Sequence, residues 1–234
     1  MRLSQILFSQ GFGNRRICLG TIQRGEVAVA GATVDDPDAD IATTGLVFQV
    51  RGQAWPYRAP ATALVLLHKP AGYECSQKPR HHPSVMSLLA PPLRERGLQP
   101  IGRLDEDTTG LLLFTDDGQL IHRLTSPKHH VPKVYEVGTK HPVDATQLQR
   151  LRAGVVLDDD PTPVRAAAAE ATGDCALRLT LTEGKYHQVK RMLAAVGNRV
   201  QTLHRSAFGA LTLPADLAPG QWTWIHAEDI GRAT

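Results

Sequence analysis

Five carboxylates crowd the segment IGRLDEDTTGLLLFTDDG, residues 101–118: Asp105, Glu106 and Asp107 precede the apolar run Leu111-Leu112-Leu113-Phe114, and Asp116 and Asp117 follow it. Three chemistries place acids in this way: a metal loop, a phosphoryl-transfer site, or one reactive carboxylate among solvated neighbours. Asp105-x-Asp107-x-Thr109-Gly110 imitates the opening of a calcium loop, with oxygen ligands at alternate positions and glycine in sixth place. The ninth place then falls on Leu113, which has no side-chain oxygen, and the twelfth on Asp116 instead of a bidentate glutamate.

The same residues satisfy the D-x-D-x-T string of haloacid-dehalogenase-like phosphatases. That string belongs at the tip of an apolar strand near the start of its domain, and Gln99-Pro100-Ile101-Gly102-Arg103 cannot be a buried strand. The third chemistry needs a cation that keeps one carboxylate ionised and in place. Arg103, Lys133, Lys190 and Arg191 are the candidates. In KVYEVGT the alternation of a strand puts Lys133, Tyr135 and Val137 on one face. In LTEGKYHQVKRMLAAVGNRV a turn at Glu183-Gly184 leads into a helix with Val189, Met192, Leu193 and Val196 as its core stripe, capped by Gly197. Lys190 and Arg191 fall off that stripe and can face a cleft. Each feature alone is ordinary; occurring together with GRLD they are not.

The elements that must hold these residues follow from pattern. The chain has 234 residues, 42% hydrophobic and 21% charged, enough for one large domain or two unequal ones with a real core. Net charge is +3, with basic residues clustered at Arg2, Arg15, Arg16 and Arg24 and again at Lys185, His187, Lys190 and Arg191. Cys18, Cys75 and Cys175 show no CxxC spacing, which predicts reduced thiols in a cytoplasmic protein and no structural zinc. Neither a membrane helix nor a signal peptide is expected.

Leu3, Ile6 and Leu7 predict a first helix. Asn14 predicts the cap of a second, running through Ile17, Leu19 and Ile22, and Val27 and Val29 predict a hairpin after it. The unit spans residues 1–51 and resembles the S4 RNA-binding domain, although Ser4 and Gln5 stand where that family usually has Asp-Lys. Residues 52–62, spaced by prolines, predict a linker. From 63 to 234, strands are expected at 63–68, 111–115, 133–139, 177–182 and 199–204, and helices near 84–90, 117–125, 144–153 and 186–196. With neither a βαβ repeat nor a phosphate loop, this predicts an α+β domain with a mixed, largely antiparallel sheet flanked by helices.

Four ordered segments carry a second resemblance. LHKPAGYECS, GRLDEDTTGLLLFTDDG, KVY and EGKYHQVKRM are similar to the motifs of the RsuA family of ribosomal RNA pseudouridine synthases, and YHQVKRM is similar to its small-subunit, 16S-directed branch. The resemblance implies isomerisation of a uridine in 16S rRNA, at position 516, with a large-subunit 23S target or a non-catalytic RNA-binding protein as alternatives. It implies Asp105, Tyr135 and Lys190 as catalytic residues. Arg103, Lys133, His187, Gln188, Arg191, Arg15, Arg16 and Arg24 are implied RNA contacts. It implies no cofactor or metal, a monomer without membrane attachment, and ribosomal RNA or an assembling small subunit as partner. On this reading Glu106, Asp107, Asp116 and Asp117 are solvated turn and helix-start residues.

Overall fold

The structure, a computed structural model, describes residues 1–58, 62–158 and 160–231. Its contacts divide the chain into two units, Met1–Ala63 with Leu89–Gln99, and Leu64–Leu88 with Pro100–Thr234. The first unit contains α1 (Leu3–Ser9), α2 (Arg15–Gln23), β1 (Val27–Val29), β2 (Ala32–Thr33), β3 (Val47–Val50), β4 (Gln53–Pro56) and α3 (Pro91–Glu95). The strands form a sheet in the order β2-β1-β3-β4. Leu3, Ile6 and Leu7 of α1 are fully buried, and the Asn14 side chain caps α2 by accepting from the Ile17 amide at 3.0 Å.

Two expectations for this unit need correction. The buried face of α2 is Cys18, Thr21 and Ile22, while Ile17 and Leu19 are exposed. Positions 18, 21 and 22 share a face at helical spacing, whereas 17 and 19 lie on opposite sides of that stripe. The expected linker also begins as β4, with Trp55 buried and edge-on to Phe12 at 5.2 Å. Pro56 is tolerated there because β4 is an edge strand, where a missing amide costs no ladder bond. Residues 59–61 of that stretch lie outside the described residues. The segment 89–99 joins this unit through α3, and Gly11 makes room for it. At φ +86° a Cβ on Gly11 would sit 2.2 Å from the Pro92 carbonyl oxygen.

The second unit contains β5 (Leu64–Lys69), β7 (Thr109–Thr115), α4 (Gly118–Thr125), β8 (Lys133–Thr139), α5 (Ala145–Ala153), β9 (Val155–Leu157), β10 (Asp160–Val164), β11 (Ala168–Gly173), β12 (Ala176–Leu181), α6 (Gln188–Ala195), β13 (Val200–Phe208), β14 (Leu211–Thr212) and β15 (Trp222–Trp224), with the two-residue β6 (Gln99–Pro100) at the boundary. Its main sheet runs β11-β12-β8-β13-β7-β5-β15. Neighbours are antiparallel except β13 and β7, which is the mixed, largely antiparallel sheet expected. The helix expected near 84–90 is a single 3-10 turn, Val85–Leu88.

Leu64 and Leu66 of β5 and Leu111 and Leu113 of β7 pack with Leu120 and Leu124 of α4 and with Phe208. The alternate residues Val65, Leu67, Leu112 and Phe114 are equally buried, so both strands are covered on two faces and read as unbroken apolar runs. Asp117 starts α4 by accepting from the Gln119 and Leu120 amides at 2.8 and 3.1 Å. Val189, Met192 and Leu193 bury one face of α6, which lies against β9 and β13. Among the described residues no helix is long and apolar enough to cross a membrane.

Candidate active site

The turn that carries Asp105 is tied down from below by a lysine. Lys69, at the end of β5, is fully buried. Its Nζ donates to the carbonyls of Pro70 at 3.1 Å, Glu106 at 3.1 Å and Thr108 at 2.8 Å. Three acceptors for three ammonium protons satisfy the group without a carboxylate. Burial lowers its pKa, against the pull of the surrounding acids. The Gly72 amide adds a 2.8 Å bond to the Glu106 carbonyl, and the Thr108 amide closes the turn on Asp105. The chain then enters β7 through Gly110, opposite Arg205 of β13 in the parallel pair.

Above this turn lies a cavity of about 710 Å³, lined by Arg103, Asp105 and Asp107 on one side and Tyr186, His187 and Lys190 on another. Lys190 Nζ is 3.1 Å from Asp105 Oδ2, and His187 Nε2 is 3.4 Å from Asp105 Oδ1. The expected pairing of Lys190 with Asp105 is therefore present, but it is shared. The same ammonium donates to both oxygens of Asp107, at 2.7 and 2.8 Å. Asp107 is thus exposed, as a turn residue would be, but not a bystander; the turn brings its carboxylate round to the lysine of α6. Partial burial pulls the Lys190 pKa down, but hydrogen bonds to Asp107 and Asp105 outweigh it and the net direction is upward. Lys190 is held as a cation between two acids.

Sequence reasoning passed over Tyr186. Its ring stacks on His187 with centroids 3.8 Å apart and planes 20° apart, and it remains 68% exposed beside the cavity. His187 has left-handed backbone, φ 48°, an uncommon conformation for a non-glycine residue and one found at functional sites. The available signal was an aromatic set among basic residues in GKYHQVKR.

Other candidates fall elsewhere. Arg103 is exposed and lines the cavity. Gln188 is buried and works inside the turn before α6. Its Oε1 accepts from the Lys185 amide and its Nε2 donates to Glu183, so its side chain is engaged in holding the start of the helix. Arg191 donates to the Tyr186 carbonyl at 3.1 Å. Tyr135 and Lys133 share the buried face of β8, and neither lines the cavity. Lys133 Nζ donates to the Val131 carbonyl at 2.9 Å and lies over the Phe208 ring. Burial, reinforced by the charge of Arg205 and opposed by Glu183, lowers its pKa to about 8. Lys133, expected to touch RNA, is buried here and engaged within the protein.

In the first unit Arg15 and Arg16 are exposed on α2, with the Arg15 guanidinium 5.5 Å from the Phe8 ring centre. Arg24 donates to Glu26 at 2.7 Å, and Glu26 also receives Arg51 at 2.7 Å. The Glu26 carboxyl sits at about 2 through those two bonds. Arg24 is therefore already engaged by an acid, unlike the free grip its position suggested.

Residues 63–195 match the RNA pseudouridylate synthase family, and the chain belongs to it. It is 40% identical, over 98% of its length, to ribosomal small subunit pseudouridine synthase A of Yersinia pestis, covering 97% of that protein. The same identity and coverage of this chain hold for the protein of that name from Escherichia coli K12, 98% of which is covered. A crystal structure of a pseudouridylate synthase superposes with TM-score 0.70 at 32% identity, covering 100% of both chains.

Proposed function

We propose that this protein isomerises one uridine of 16S ribosomal RNA, position 516, to pseudouridine, acting as a cytoplasmic monomer on ribosomal RNA or the assembling small subunit. The observation that carries the reading is the Asp105 carboxylate, a quarter exposed in the cavity and 3.1 Å from the Lys190 ammonium. Full-length similarity to small-subunit synthases supports the choice of RNA.

The reaction breaks the glycosidic C1′–N1 bond, forms C1′–C5, and moves a proton from C5 to a ring nitrogen. Atoms and electrons balance within the nucleotide. The target must leave the helix stack first, at a cost on the order of a few kcal/mol. The cavity at Asp105 is where it would enter. Asp105 supplies the anionic group that acts on the nucleotide, Lys190 holds that carboxylate in charge and position, and Arg103 stands at the rim to occupy the gap left in the stack. Asp107 restrains Lys190 from its far side.

Mapping of pseudouridine in 16S transcript treated with purified protein tests this. Asp105→Asn should bind RNA and form no product. Asp107→Asn, which frees Lys190 from one of its two acids, should slow turnover by about tenfold, or ~1.4 kcal/mol of barrier. An active Asp105→Asn protein would remove the assignment, and product confined to 23S RNA would redirect the substrate.

A further inference from the structure

One wall of the cavity has no part in the chemistry above. Residues 76–83, Ser-Gln-Lys-Pro-Arg-His-His-Pro, hang between Glu74 and Ser84. An exposed polar stretch of this kind usually moves, but here it is fastened from within. Glu74 and Ser84 form a parallel bridge, with the Glu74 amide donating to the Pro83 carbonyl at 3.0 Å and the Val85 amide to the Glu74 carbonyl at 2.9 Å. Ser84 Oγ ties back to the Ser76 carbonyl at 2.5 Å.

The Glu74 carboxylate then collects three consecutive backbone amides. Arg80 donates to Oε2 at 3.1 Å, and His81 and His82 donate to Oε1 at 2.8 and 2.9 Å. These bonds hold the carboxyl at about 2, so the acceptor stays charged across the working pH range. The loop spends its backbone donors inward, and its side chains are left outward. Lys78, Arg80, His81 and His82 are all exposed. Among the described residues none of the four side chains makes a hydrogen bond or an ion pair. Arg80, His81 and His82 line the same cavity as Asp105 and Arg103.

A row of basic side chains on an ordered backbone, with no acids of its own, suits a polyanion. Arginine forks match phosphate oxygens, and the exposed imidazoles of His81 and His82 can donate to them as well. We propose that the 76–83 loop is a phosphate clamp, gripping the RNA backbone beside the flipped nucleotide, with Glu74 as its positioning residue. This rests on the reading of the protein as an RNA pseudouridine synthase. The clamp confers affinity and register; the chemistry stays with Asp105.

The test uses full-length protein and unmodified 16S transcript. The triple variant Arg80→Ala, His81→Ala, His82→Ala should raise Kd at least tenfold at about 0.15 M salt and flatten the salt dependence by roughly one to two units of slope, one per lost phosphate contact. In turnover the defect should fall on KM far more than on kcat. Glu74→Ala, with Arg80, His81 and His82 intact, should weaken binding in the same direction by freeing the loop. If that variant fails to fold, the triple variant, which changes only exposed side chains, still decides. Binding curves of the triple variant that superimpose on wild type at every salt concentration would overturn the clamp, as would a defect confined to kcat. Failure of wild-type protein to form pseudouridine would strike the enzyme reading instead, with the affinity comparison unaffected.

Discussion

At the residue scale, what could be read in advance followed from chemistry that needs particular atoms. The need of a reactive carboxylate for a counter-charge named four candidate cations; the family resemblance singled out Asp105 and, among them, Lys190, and the fold brings that pair to 3.1 Å. Asp107 and Tyr186 did not stand out, since a charge in a turn and an aromatic in a basic string both have ordinary explanations. Lys133 marks a limit of another kind: strand alternation gives the face but not whether that face meets solvent, and this one is buried. Its burial has a measurable signature. The folded-state pKa of about 8 lies below the ordinary 10.5. Between those values the unfolded chain carries a proton that the folded chain has lost, so raising the pH favours folding. Below pH 8 the lysine is charged in both states and its full desolvation cost is felt. Lys133→Met should therefore stabilise the protein at pH 7 by up to about 3 kcal/mol, the equivalent of that shift, less the lost bond to Val131. The advantage should shrink through pH 8 to 10.5. Urea unfolding of both proteins at three pH values checks this, and a gap that stays constant with pH would refute it.

At the element scale, periodicity served where one or both faces are covered by the core. β8 was legible to the residue and β7 to within two, because both are apolar on their buried positions and bounded by turns. β4 and β10 were missed because Pro56, Pro161 and Pro163 imitate linker, and β15 because three residues carry no period. No pattern announces the parallel contact of β7 with β13, yet it sets the mouth of the Asp105 turn. Gly110 adopts φ +107° there, and a Cβ would lie 2.3 Å from the Arg205 carbonyl oxygen. Backbone strain of this kind costs about 1–3 kcal/mol, before the contact with a backbone atom that cannot swing away. Gly110→Ala should thus lower thermal stability and reduce kcat by at least tenfold. A variant as stable and active as wild type would show that the pair tolerates separation.

At the scale of the whole molecule, the division between the units escaped sequence reading because it is not linear. The first unit reclaims residues 89–99 after the chain has already begun the second. Leu89, Leu93 and Leu98 in that segment are buried, and α3 abuts Gly11. A protein lacking residues 1–55 therefore loses the partners of that segment, contrary to the expectation of an independent 63–234 domain. It should aggregate or unfold at lower temperature than the full chain, by light scattering and calorimetry, unless the three leucines are replaced by polar residues. A truncated protein with unchanged Tm would restore the simple two-domain account.

The same interleaving sets an order on synthesis. The N-terminal unit cannot close when Ala63 leaves the ribosome, since its last piece ends at Gln99. At ~5–20 residues per second the wait lasts roughly a few seconds, during which an incomplete fold with an open notch at Gly11 is attached to a growing strand of apolar sequence. Slow codons between those two points would prolong the exposure, and slow codons just after them would let it end.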